Sequence, residues 1–213
     1  MISLKQKQRA VIVRRMLKKL VPDAGMILRY KNSWELLVAV VLSAQCTDKK
    51  VNEVTARLFQ KYKTLNDYVR ANKTEFERDI FSTGFYRAKT KNILAAAKMV
   101  KHEYGGKVPD TMEELLRIPG VARKTANIIL GNAFNKVEGI AVDTHVGRLA
   151  KKFKLTHHDN PDKIERDLSA LVPKKEWFVF TYWMIEYGRR YSPARIKDHT
   201  DPVSVALKKK QLL

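Results

Sequence analysis

The 213-residue chain carries 42 lysines and arginines against 22 aspartates and glutamates, a formal net charge of +20, and a surplus of that size draws a polyanion. Its longest apolar run, Leu36 to Leu42, is seven residues, far short of the ~20 needed to cross a bilayer, and no secretory leader is visible. The single cysteine, Cys46, excludes an intrachain disulfide, fits a reducing compartment and reads as a small buried hydrophobe.

Helices are expected almost everywhere. In the N-terminal helix Val13, Met16, Leu17 and Leu20 share one face, with Arg14, Arg15, Lys18 and Lys19 beside it. Such a face either docks on the protein's own core or lies on an anionic membrane surface. Leu36 to Leu42 could alone be a strand, but Ser33 as a cap and Glu35 in the first turn favour a buried helix. Apolar stripes at helical spacing recur at Val51, Val54, Thr55 and Leu58, then at Ile93, Ala96, Ala97 and Val100. Breaks fall at Pro22, Gly84, Gly105, Gly106 and Pro161.

Thr111-Met112-Glu113-Glu114 is a capping box in which the Thr111 hydroxyl and the Glu114 carboxylate satisfy free amides, opening a short helix that ends near Arg117. Residues 118 to 126 follow as Ile-Pro-Gly-Val-Ala-Arg-Lys-Thr-Ala. Ala126, Ile129, Leu130 and Ala133 form the buried stripe of the next helix, and Lys124 lies off it. The unit is helix, hairpin, helix, and the free amides at the start of the second helix suit a phosphate oxygen. A lysine titrates near ~10.4, so a nucleophilic Lys124 needs its ammonium disfavoured. The helix N-terminus, Arg123 and partial burial all act in that direction; the plainer reading is a solvated surface lysine. Further on, Val146, Leu149, Ala150 and Phe153 form another stripe, and Asp143 before it is a good N-cap that can also face a cleft.

These motifs carry a resemblance. The chain from about Ser33 to Tyr191 resembles the endonuclease III family, DNA glycosylases and abasic-site lyases of the helix-hairpin-helix superfamily. Leu42-Ser43-Ala44-Gln45-Cys46-Thr47-Asp48 is similar to one of its DNA-facing segments, and Thr83-Gly84-Phe85-Tyr86 to a second. The resemblance implies an all-α fold of two helical domains with a cleft between them. One is a barrel over 25–134 holding the hairpin motif at about 111–133; the other joins 1–24 to 135–213. It implies that Lys124 is the nucleophile and Asp143 its carboxylate partner. Gln45 would fill the gap left by a flipped nucleotide and Phe85 would wedge beside the orphaned base. Read alone, Gln45 is a polar helix end and Phe85 a core aromatic. Gly120, Val121, Ala122, Arg123, Thr125 and His145 would also meet double-stranded DNA.

The implied activity is removal of oxidised or ring-saturated pyrimidines followed by β-elimination, by a monomer in a bacterial or archaeal cytoplasm, with no membrane partner. The alternatives are a glycosylase for mismatched or photodamaged pyrimidines, and a non-catalytic DNA-binding scaffold in which the hairpin only grips phosphate. The chain departs from the family pattern in two respects. Ala122 stands where a second hairpin glycine is usual, which matters little if its φ is negative. The four cysteines that usually hold an iron-sulfur cluster align with Ser192, His199, Pro202 and Lys208, so no metal and no cofactor are expected. The C-terminal segment should instead be stiffened by Pro193 and Pro202 and bury Val203, Val205 and Leu207. It should pair Asp198 or Asp201 with neighbouring arginines and dock on the helix from Trp177 to Ile185. Arg189, Arg190, Arg195 and Lys197 are expected near the DNA backbone.

Overall fold

A computed structural model describes residues 2–195 and 198–213 of the chain. Among them the fold is all-α, with twelve α-helices: α1 (Leu4–Leu20), α2 (Ser33–Ser43), α3 (Asp48–Lys61), α4 (Leu65–Arg70), α5 (Lys73–Ile80), α6 (Tyr86–Glu103), α7 (Met112–Arg117), α8 (Arg123–Phe134), α9 (Thr144–Lys152), α10 (Pro161–Leu171), α11 (Trp177–Arg190) and α12 (Pro202–Lys209). They form two compact units, Ile27–Lys136 and the pair of segments Met1–Met26 and Val137–Leu213. None of the described helices is long and apolar enough to cross a membrane.

The unit of residues 27–136 is built around α2. Every residue from Trp34 to Leu42 is buried, which is the environment an all-round apolar helix requires, and α3, α6 and α8 pack on it. Its N-cap is Asn32, whose side chain accepts from the Glu35 amide at 2.9 Å, so Ser33 is the first helical residue and not the cap. Asn and Ser cap equally well, and adjacent candidates cannot be separated by propensity. The stripes Val51, Val54, Thr55, Leu58 and Ile93, Ala96, Ala97, Val100 are buried as their spacing predicts. At α7 the expected capping box is only half formed. Thr111 accepts from the Glu114 amide at 3.4 Å, but the Glu114 carboxylate takes the Thr111 hydroxyl at 2.7 Å instead of a backbone amide.

In the other unit α1 buries Ala10, Val13 and Leu17, with Met16 and Leu20 partly covered, in one core with Val146, Leu149, Phe153, Phe180 and Tyr187. That apolar face is used by the protein itself, which removes the membrane-surface reading of α1. The C-terminal helix α12 buries Val203 and Leu207 but leaves Val205 exposed, because a residue two places on turns to the opposite side of a helix. It packs chiefly on α1, not along α11 as expected. Asp201 caps α12 and pairs with Lys152, not with an arginine, while Asp198 accepts from Thr200. Arg190 is held by Asp23 at 2.9 Å and Glu186 at 2.5 Å and so is committed to its own unit. Lys197 lies outside the described residues.

Candidate active site

The hairpin between α7 and α8 is the turn Ile118-Pro119-Gly120-Val121, closed by the Val121 amide on the Ile118 carbonyl at 3.0 Å. Proline second and glycine third is the sequence a type II turn demands. Gly120 has φ +84°, and a Cβ there would sit 2.9 Å from Cβ of Asn92. Both conformation and space therefore require glycine. Val121 is buried and anchors the turn. Ala122 is the N-cap of α8 with φ −95° and ψ 171°, an extended conformation that tolerates its Cβ, and it has no side chain able to cap the helix. Amides of a first turn left uncapped by side chains are open to an anion. Arg123 and Lys124 are exposed in that turn and Thr125 is half-buried. The partial burial expected of Lys124 is not found.

Two further loops of the same unit carry expected contacts. Beyond α2, Gln45 is exposed with φ 52°; before α6, Phe85 is 65% exposed with φ 48°. Left-handed backbone costs a non-glycine residue roughly 1–2 kcal/mol. Phe85 is thus no core aromatic: Gly84, at φ 68°, turns it outward, while Phe81 and Tyr86 pair beside it with ring centroids 4.9 Å apart. Gln45, Phe85, Gly120 and Thr125 line one pocket of about 200 Å³, together with Lys89 and Asn92. Cys46 is half-buried, more open than its size suggests.

Lys89 and Asn92 belong to no motif legible in the sequence. The buried Lys89 ammonium donates to the carbonyls of Leu42 and Thr83, both at 2.8 Å, and burial pushes its pKa below the ordinary lysine value. The available signal was position, since Lys89 is four residues before Ile93 and lies on the apolar stripe of α6.

In the other unit Asp143 is half-buried at the start of α9 and accepts from the Val146 amide at 2.8 Å. It is a working N-cap, so the structural reading of this residue holds whatever else it does. His145 is turned inward: a Cβ on Gly188 would meet its Nδ1 at 2.7 Å, which ties His145 to α11 through a glycine.

The profile of the HhH-GPD superfamily base excision DNA repair proteins matches residues 38–174. The chain belongs to this superfamily. An endonuclease III of Synechocystis sp. is 48% identical over 190 residues, 89% of this chain and 87% of that protein. Among solved structures, a non-covalent endonuclease III–DNA complex superposes with a TM-score of 0.89 at 41% identity, covering 98% of this chain and 99% of that one. A trapped endonuclease III–DNA covalent intermediate superposes at 0.90 and 41% identity, covering 96% and 98%.

The resemblance to the endonuclease III family implies an iron-sulfur cluster at positions 192, 199, 202 and 208, and the residues present do not fit one. The buried Ser192 hydroxyl accepts from Lys152 Nζ at 3.0 Å. His199 Nδ1 lies 3.4 Å from the Ser204 hydroxyl, Pro202 opens α12, and Lys208 is exposed. Such clusters are held by thiolates, and the one cysteine of the chain belongs to the other unit.

Proposed function

We propose that the chain is a DNA base-excision repair glycosylase with abasic-site lyase activity, acting on oxidised or ring-saturated pyrimidines in double-stranded DNA within the cytoplasm. The observation that carries the reading is the Gly120 hairpin delivering Lys124 on the first turn of α8, in a chain of the HhH-GPD superfamily. Scaffolds that merely grip phosphate need the hairpin and its amides but not the Gln45 and Phe85 loops.

The hairpin amides bind a phosphate of the damaged strand, with Gly120 allowing backbone to approach backbone. Lys124, as free amine, attacks C1′: the N–C1′ bond forms, the glycosidic bond breaks, and the base leaves with the electron pair and takes up a proton. Loss of the amine proton and opening of the sugar ring give an imine. Removal of a C2′ proton then expels the 3′ phosphate by β-elimination. Asp143 stabilises the cationic sugar and accepts the amine proton. Gln45 occupies the space of the extruded nucleotide and Phe85 wedges beside the partner base, since extrusion costs a few kcal/mol that a filled gap helps to recover.

Borohydride on an abasic duplex tests the reading. A covalent protein–DNA adduct is expected with the native chain and none with Lys124→Gln, while Lys124→Gln still binds duplex. Parallel loss of trapping and of binding would favour the scaffold.

A further inference from the structure

Lys89 stands in a stretch rich in basic residues, with Arg87 and Lys91 on either side, yet it faces inward. Its residue is 4% exposed, and nothing in the chemistry proposed above uses it. What it touches is specific. Leu42, in the last turn of α2, has one of the carbonyls that a helix end leaves without an intrahelical partner, and it stands three residues before Gln45. Thr83 closes the short 3-10 turn Phe81–Thr83 and stands two residues before Phe85. Lys89 Nζ reaches both carbonyls at 2.8 Å, and its own backbone amide donates to the Phe85 carbonyl at 3.1 Å. One residue therefore holds the base of both loops.

The two loops need such a hold. Gln45 and Phe85 are each in left-handed backbone, at φ 52° and 48°, a conformation that persists in a non-glycine residue only where its surroundings impose it. Neither is held from outside, because both side chains are exposed. A cation suits this position, since it meets the negative end of the α2 dipole at Leu42 and its three donors can bond two carbonyls at once. The same residue lines the pocket where Gln45, Phe85, Asn92 and Gly120 converge.

We propose that Lys89 is a positioning residue that locks the Gln45 and Phe85 loops into one rigid element, so that the two side chains enter the DNA as a pair. This rests on the wedge roles assigned to Gln45 and Phe85. In the free protein the lock presets the spacing of the two loops; on DNA, gap filling by one commits the other. Lys89 touches no phosphate, so it contributes to extrusion of the nucleotide and not to general affinity for the duplex.

The test is a cycle of variants read by single-turnover excision from a duplex with one ring-saturated thymine, and by the fluorescence of 2-aminopurine opposite the lesion, which brightens on unstacking. In the native background Gln45→Ala and Phe85→Ala should each slow excision, and the double variant should be at least about fivefold faster than the product of the two losses predicts. Lys89→Met, which keeps the stem and removes the charge, should slow excision about tenfold or more and abolish both the brightening and the Gln45–Phe85 coupling. Its affinity for undamaged duplex and the salt dependence of that affinity should stay within about twofold of native, since no phosphate contact is lost. A purely structural lysine would instead lower thermal stability and leave the coupling intact. Additive effects of Gln45→Ala and Phe85→Ala in the native background overturn the lock, and this holds even if Lys89→Met does not fold. Native excision by Lys89→Met, with both loop variants impaired, also overturns it and leaves the wedge reading standing. If neither loop variant slows excision, the wedge reading itself fails and the lock with it.

Discussion

Lys152 Nζ and Asp201 Oδ2 form an ion pair 2.9 Å long whose side chains are 9% and 2% exposed. It lies where the resemblance to the endonuclease III family would put a cluster, and it is not alone. Asp201 also receives the Tyr187 hydroxyl, the Ser204 hydroxyl at 2.6 Å and the Ser204 amide at 3.1 Å. The Tyr187 oxygen in turn accepts from the Val203 amide at 3.0 Å. Lys152 bonds the Ser192 hydroxyl, and Arg148 the Ser192 carbonyl at 2.5 Å. One buried carboxylate thus ties α9, α11 and α12 together.

Removing one partner of such a pair leaves the other charged and buried. Lys152→Met should destabilise the unit of α1 and α9–α12 by about 3 kcal/mol, and Asp201→Asn by a similar amount. The double variant should lose less than the sum, as the uncompensated charge is gone. Urea unfolding followed by Trp fluorescence reads this; additive losses would show that the two side chains are not coupled.

Acid should act through the same residue. Burial opposes ionisation of Asp201, but bonds from Ser204, Tyr187 and Lys152 outweigh it and hold the carboxyl below its ordinary value of 3.8. A carboxyl depressed in the folded state stabilises fully above 3.8 and ceases to do so as pH falls through the lower folded value. The urea midpoint should therefore drop steeply below about pH 4, and Asp201→Asn should flatten that part of the profile. An unchanged acid limb in Asp201→Asn would assign the acid sensitivity to other carboxylates.

Asp143 allows its two roles to be separated. Asparagine caps helices as well as aspartate does, so Asp143→Asn should keep the bond to the Val146 amide and unfold within ~0.5 kcal/mol of native. Base excision should nevertheless slow by roughly 10²–10³, because the charge that steadies the sugar cation is missing. Excision at the native rate would leave Asp143 as a cap alone.

The hairpin gives the sharpest contrast between neighbours. Gly120→Ala combines positive φ with a Cβ 2.9 Å from Asn92, and should cost ~2–4 kcal/mol together with most of the affinity for duplex. Ala122→Gly, two residues on in extended backbone, should stay within ~0.5 kcal/mol. Equal tolerance at both sites in a stability and binding assay would contradict the close packing of the turn on α6.

What the sequence disclosed follows from the range of the forces involved. Stripes such as Val51-Val54-Thr55-Leu58 and the Pro119-Gly120 turn are written in neighbours three or four residues apart, and they appear where spacing puts them. The hairpin lysine was visible because a motif surrounds it. Read alone, Phe85 could not be seen as outward-facing, since nothing in an aromatic residue announces left-handed backbone; only the family resemblance implied it. The Lys152–Asp201 pair spans 49 positions and needs α9 and α12 folded together before either side chain has a partner. Lys89 was hidden by abundance: among 42 basic residues, one on an apolar stripe looks like an error in the pattern until its two carbonyls are seen.

Helix α1 has a history that its final packing conceals. Its partners α10, α11 and α12 lie beyond residue 160, and Arg9 is fixed by the Leu212 carbonyl, 203 positions away. The unit of residues 27–136 is continuous and can assemble as it leaves the ribosome. At ~5–20 residues per second, α1 waits on the order of ten seconds or more with Val13 and Leu17 bare. During synthesis, then, α1 is made before the helices that bury it, and this interval is when a nascent-chain chaperone or a chance aggregate competes for it.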